Sequence, residues 1–267
     1  MTRARPPREL RGLPVAAAPR ESTFQRIRRT GKLRLGGFLG EEPYFGRQAG
    51  GRWEGVCVAL AQALATALEA EIEIVEAPVA GIAAEVASGK FDLAFVREPD
   101  GSRTGGVEAT EPIFYDCCAV LPHAGFEAAQ WVDLDIPQTR IAVDIGSADE
   151  ALARRLAGSA TITGFKTREE AIAAVLSGRS DCAVSPALAA LLTHKHNPQL
   201  GAMSLPAPYA RLPVGGLIAA EQDRGLYDAI ASWRNENRGN GKIRDWVLIG
   251  LARFGIAADE LPPDLQL

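Results

Sequence analysis

Strand-like and helix-like stretches alternate twice along this 267-residue chain, and that double alternation restricts the fold more than any other feature. KLRLGG places Leu33 and Leu35 on one side of a strand. Residues 55–70 then repeat Val58, Leu60, Ala61, Leu64, Ala65 and Leu68 at helical spacing. EIEIVEA alternates strictly, residues 79–88 make a short helix that Gly89 stops, and FDLAFV is the next strand. A βαβαβ order calls for a parallel sheet with helices on its faces.

A second set begins at Cys117. CCAVLPH reads as a strand, WVDLDIPQT as a connector and RIAVDIG as a strand. GSADEALARRLAG is a helix with Gly146-Ser147 at its cap, and ATITGF a strand. TREEAIAAVLSG is a helix with Thr167 and Glu170 at capping-box spacing. RSDCAVSP and PALAALLTHK supply one more strand and helix. PVGGLIAAE returns as a strand, and residues 222–238 and 241–254 read as helices that pack Trp233 and Trp246. Near the start, STFQRIRRTG has the form of a short helix capped by Ser22 and stopped by Gly31. The expected layout is a basic, disordered arm over 1–21, one lobe from 22–115 and 213–254, a second lobe over 116–212, and a tail over 255–267.

Ligands in open α/β sheets bind beyond the carboxyl ends of the strands. Three of those ends are glycine-rich here: Gly36-Gly37, the loop 97–106, and Gly146-Ser147. Two facing lobes bring all three to one cleft. The loop 97–106 is the centre of that reading, and Arg103 is the residue in it to watch.

Charge narrows the partners. The first 34 residues hold ten Lys or Arg against two Glu, which leaves 19 basic and 31 acidic residues in the body. A body so acidic lacks the basic footprint of a nucleic-acid binder. Cys57, Cys117, Cys118 and Cys182 have no CxxC spacing, and three histidines form no HExxH, so neither a metal nor a cofactor is expected. The apolar patch LPVAAAP is broken by prolines and flanked by arginines, which is not the pattern of a secretory signal.

Six stretches in order carry a resemblance: GKLRLGGFLGEEPYF, GRWEGVCVALAQALA, IAAEVASGKFDLAF, SRTGGVEATEPIFYD, RIAVDIGSADEALARRL and SGRSDCAVS. Between Thr23 and Trp246 the chain resembles the polar-amino-acid type (family 3) of ABC-transporter solute-binding proteins. The resemblance implies an α/β, two-lobed periplasmic-binding-protein-like type II fold with a central ligand cleft and a two-strand hinge. It implies a monomer that closes on a small carboxylate-bearing ligand, an amino acid first, and delivers it to a membrane permease without chemistry. It implies a periplasmic location, with a cytoplasmic one as the alternative in view of the N-terminus.

Carried over residue by residue, the resemblance puts Arg103 on the ligand carboxylate. It puts the N–H groups of Gly146 and Ser147 on the same carboxylate. Tyr44 and Phe38 become aromatic contacts and Asp144 a cleft residue. The acid that holds a ligand ammonium in the family falls at Ser185 or Pro186, where no charge exists. Glu98 or Asp100 is the candidate substitute, or else the ligand is a carboxylate lacking an α-amine. The alternatives are an enzyme on the same fold, of the cyclohexadienyl dehydratase kind, and a sensory or cytosolic binder.

Overall fold

The computed structural model describes residues 21–79, 81–97, 103–262 and 265. The elements run α1 (Thr23–Thr30), β1 (Lys32–Gly37), β2 (Gly46–Arg47), β3 (Trp53–Glu54), α2 (Val56–Ala67), β4 (Glu71–Glu76), α3 (Ile82–Ala87) and β5 (Ala94–Arg97). They continue as β6 (Arg103–Thr104), β7 (Val107–Ala109), β8 (Phe114–Pro122), α4 (Trp131–Leu134), β9 (Arg140–Asp144), α5 (Ala148–Leu156), β10 (Thr161–Phe165) and α6 (Arg168–Leu176). The last are β11 (Cys182–Pro186), α7 (Ala187–His196), β12 (Arg211–Ala219), α8 (Gly225–Arg238) and α9 (Lys242–Ala252).

Local chemistry explains the ends of several elements. Ser22 accepts from the Gln25 N–H while the Gln25 side chain accepts from Ser22 N–H, and Gly31 closes α1 in the left-handed region. Thr167 accepts from Glu170 N–H at the start of α6. Leu33 and Leu35 of β1 are buried, as their alternation requires. Asp92, also buried, is held by Arg26 and by Arg34, whose Nη2 lies 2.7 Å from it, so the carboxylate ties α1 and β1 to the approach of β5.

Both halves share one sheet, ordered β10-β9-β11-β8-β12-β7-β6, with β5 also on β12. β9, β10 and β11 are mutually parallel, whereas β8 and β12 run antiparallel to their neighbours. β8 changes partner along its length: residues 114–117 pair with β12 and 118–122 with β11. β12 does the same, passing from β8 to β5 and β7. β1 and β4 form a parallel pair that reaches the approach to β5 through the Gly36 N–H to Leu93 carbonyl bond, 2.9 Å. One apolar cluster runs under β1, α2, α8 and α9 and on beneath α6 and α7. A smaller one lies on the other face of the second lobe, around Trp131, Leu134, Ile141 and Leu152.

Three details depart from the sequence reading. The connector WVDLDIPQT contains the turn of helix α4, with Trp131 buried. The loop after β5 leads into a small hairpin, β6 on β7, which joins the sheet through β12. The segment expected to be a tail is docked: Ile256 and Leu265 are buried, and Lys195 of α7 holds the Gly255 carbonyl and Glu260. Neither Ile256 nor Leu265 sits in a periodic run, which is the signal that was missing.

α2 packs against α9, which also stacks Trp246 on Trp233 of α8 with ring centroids 5.3 Å apart. A Cβ on Gly250 of α9 would lie 2.4 Å from the Val56 Cα. Gly250→Ala therefore sets a helix-propensity gain of about 1 kcal/mol against forcing two backbones apart, and overpacking of that kind costs about 1–3 kcal/mol or more. The expected outcome is net destabilisation, read as a lower denaturation midpoint. Gly239→Ala, at a position with right-handed backbone and open space around it, is the control and should leave the midpoint unchanged or slightly raised.

Candidate functional site

The carboxyl ends of β5, β9 and β11 and the loop after β1 enclose a cavity of about 840 Å³. Its first wall carries Phe38, Glu41, Tyr44, Phe95 and Arg97, and its second Asp144, Gly146, Ser147, Asp149, Arg168 and Ser185. Leu39 and Val79 on one wall and Ile145 on the other also line it and are exposed.

Two guanidinium groups bridge the walls. Arg97, the last residue of β5, pairs with Asp149 in the first turn of α5, and its Nη2 donates to the Cys117 carbonyl at 3.3 Å. Its Nε stands 4.0 Å from Asp116 and has no hydrogen-bond acceptor among the described residues. Burial works against the Arg97 charge, but Asp149 and then Asp116 outweigh it and hold the guanidinium protonated. Arg168, at the start of α6, donates to Glu41 at 3.1 Å and to the Glu42 carbonyl at 3.4 Å.

Behind Arg97 lies a fully buried carboxylate. Asp116 is the third residue of β8 and accepts from the Tyr44 hydroxyl. Burial raises its pKa to about 6, against the opposing pull of Arg97 and the Tyr44 hydrogen bond. Tyr44 is itself held well above its ordinary range, by burial and then by Asp116. Cys118 donates to Asp149, and its thiol is pushed up by burial and by that carboxylate.

The residues expected from sequence fall into three groups. Tyr44, Phe38, Asp144, Gly146 and Ser147 all line the cavity. Tyr44 and Phe38 are buried, the first by its bond to Asp116 and the second edge-on to Phe45 at 5.3 Å. Arg103 lies in β6, opposite Glu108 in the register, and Glu98 and Asp100 lie outside the described residues. The backbone donors of Gly146 and Ser147 already have acceptors. Gly146 N–H goes to the Glu150 carboxylate at 2.6 Å and Ser147 N–H to the Asp144 carbonyl at 3.2 Å, while the Ser147 hydroxyl accepts from Glu150 N–H. The Ser147-Glu150 spacing is that of a capping box, so the signal for this occupation was present in the sequence.

Arg97 opens the loop 97–106 that was expected at the site, though no role was assigned to it; Asp149, Arg168 and Asp116 were not foreseen as site residues. Asp116 had a readable mark, a charge inside the apolar run FYDCCAVL, which demands a buried partner. Among the described residues no group of three or more His, Cys, Asp or Glu is placed to hold a metal ion. No described helix is long and apolar enough to cross a membrane.

The raised pKa of Asp116 has a definite consequence for stability. A carboxyl whose pKa is higher folded than unfolded contributes stability below its unfolded value of 3.8 and loses it as pH rises through about 6. Wild type should therefore lose stability relative to Asp116→Asn between pH 4 and 7, by on the order of 3 kcal/mol, with no further change above. Urea titrations of both chains across that range check this, and a difference that stays flat contradicts it.

No family model and no curated protein matches the chain. Solved structures do. An ancestral cationic amino acid solute-binding protein is 24% identical, with TM-score 0.70 over 85% of this chain and 98% of that one. An amino acid ABC transporter substrate-binding protein from Streptococcus pneumoniae, bound to L-arginine, is 20% identical with TM-score 0.70 over 86% and 98%. An ancestral cyclohexadienyl dehydratase is 24% identical with TM-score 0.53 over 89% and 98%. The chain has the two-lobed α/β fold of periplasmic binding proteins, shared by these amino-acid-binding structures.

Proposed function

We propose that this chain is a solute-binding protein that closes two lobes around a small carboxylate-bearing ligand, an amino acid first, and hands it to an ABC permease. The observation that carries the reading is the 840 Å³ cavity between walls joined by the two shared strands β8 and β12. Cavities of that size suit small metabolites, and a two-strand connection suits hinge closure. The ligands of the structural neighbours, L-arginine among them, agree with it. The resemblance in sequence adds a monomer working in the periplasm.

Arg103 is the proposed carboxylate clamp. With the Gly146 and Ser147 amides already engaged, anion recognition passes to guanidinium groups, which grip a carboxylate with two parallel hydrogen bonds. The Glu98 and Asp100 side chains remain candidate contacts on the same loop.

A thermal-shift panel of L-amino acids with their matched 2-oxo and 2-hydroxy acids tests the reading. A ligand at a hundred times its Kd adds about 2.7 kcal/mol, which raises Tm by several degrees in a chain of this size. Arg103→Ala should remove that rise and leave the ligand-free Tm within about a degree. Absence of any shift across the panel overturns the binding reading. Turnover of a bound ligand, read by mass spectrometry on the same samples, would favour the dehydratase-like alternative.

A further inference from the structure

Order in the chain continues past α9. Gly255, in the left-handed region, turns the backbone out of the helix. Its N–H bonds the Ala252 carbonyl at 3.1 Å, and the Ile256 N–H reaches back to the Leu251 carbonyl at 3.2 Å. Ile256 is buried directly after this turn, and Leu261 packs on the same apolar cluster. Between them Glu260 folds its carboxylate back onto the Ala257 N–H at 2.6 Å. The segment therefore holds three oxygens within reach of one cation: the Gly255 carbonyl and the two of Glu260.

Lys195, in the last turn of α7, takes all three. Its Nζ donates to the Gly255 carbonyl and lies 2.9 and 3.2 Å from the Glu260 oxygens. The two elements joined in this way serve different walls of the cavity. α9 packs on α2, whose Cys57 belongs to the lining next to Tyr44. α7 begins directly after Pro186 at the second wall and packs on β8 and β11. At about 1.5 Å of rise per residue, Lys195 stands roughly 12 Å along the helix from Ala187. Lys195, Gly255 and Glu260 line no part of the cavity.

We propose that the segment Gly255–Glu260, held by Lys195, is a strap that ties the two walls together away from the cavity and sets how readily they part. Its effect on a solute rests on the solute-binding reading; the tie itself does not. The direction follows from what coexists. The conformation that makes the strap also carries Arg97–Asp149 and Arg168–Glu41 across the cavity. A contact made in one arrangement and lost in another favours the first, so the strap acts in the same sense as those pairs. It differs from Arg97–Asp149 in exposure, with the Lys195 and Glu260 side chains 40% and 43% exposed. Water takes over their hydrogen bonds when they part, so the strap yields at modest cost. A strap of this kind tunes solute affinity from a point that no solute touches.

The test is a distance measurement on the full chain. Ala84→Cys on α3 and Ala151→Cys on α5 place one spin label on each side of the cavity, at exposed positions, while Cys57, Cys117, Cys118 and Cys182 are buried and escape labelling. Dipolar spectroscopy without solute should give one short distance for this parent. Lys195→Met and Glu260→Gln should each add a second, longer population. Lys32→Met breaks an exposed pair with Glu73 inside the β1–β4 ladder; it is the control and should leave the distance as it was. A distance unaltered in both Lys195→Met and Glu260→Gln, or altered equally in Lys32→Met, overturns the strap. The probe for affinity is the L-amino acid that gives the largest rise in the thermal-shift panel. Lys195→Met should bind it about two- to fivefold more weakly, the range that an exposed ion pair supplies. Equal affinity beside a longer distance overturns the link to capture. If no compound of the panel binds wild type, the distances still decide the strap and the solute-binding reading falls.

Discussion

The β8–β12 ladder holds everything else in place. Each strand has nine residues and serves both halves, so β5 of one wall and β9 and β11 of the other belong to a single continuous sheet. Its register also decides what faces what. Asp116 and Cys118 share one face of β8, toward Arg97 and Asp149, while Cys117, Ala119 and Leu121 face the large apolar cluster. A slip of one residue would exchange those faces and press the Asp116 carboxylate into hydrocarbon.

The cleft is electrically crowded, and its internal pairs set what remains for a solute. Arg97 and Arg168 each cross from one wall to the other and engage an acid there. α5 fills the donors at its own start with Ser147 and Glu150, leaving little for an incoming carboxylate at Gly146. Unmatched polar atoms remain on both walls, the Arg97 Nε on the first and the Ser185 hydroxyl on the second. The apolar residues Leu39, Val79 and Ile145 line the same cavity and are exposed.

Most of the framework was legible because its signals are local. Strand alternation in KLRLGG and EIEIVEA, helical spacing across 55–70, and the caps Ser22, Ser147 and Thr167 each depend on residues a few positions apart. The site was legible only in outline. Strand ends located the cavity, and Tyr44, Phe38, Asp144, Gly146 and Ser147 do line it. The bonds that govern it join residues 52 or 127 positions apart, as Arg97 to Asp149 and Glu41 to Arg168 do. No periodicity announces such pairs. They follow from topology, which brings β5 and α5 to opposite sides of one gap. The docked C-terminal segment escaped for a similar reason, since Lys195 meets Glu260 only after the whole chain has turned back on α7.

The Arg97–Asp149 pair answers to salt differently from the ion pairs of the surface. With side chains only 14% and 4% exposed, it is sheltered from mobile ions, and its hold between the two walls should vary little with ionic strength. Arg47 with Glu76, both about half exposed, has no such shelter and should weaken as salt is added.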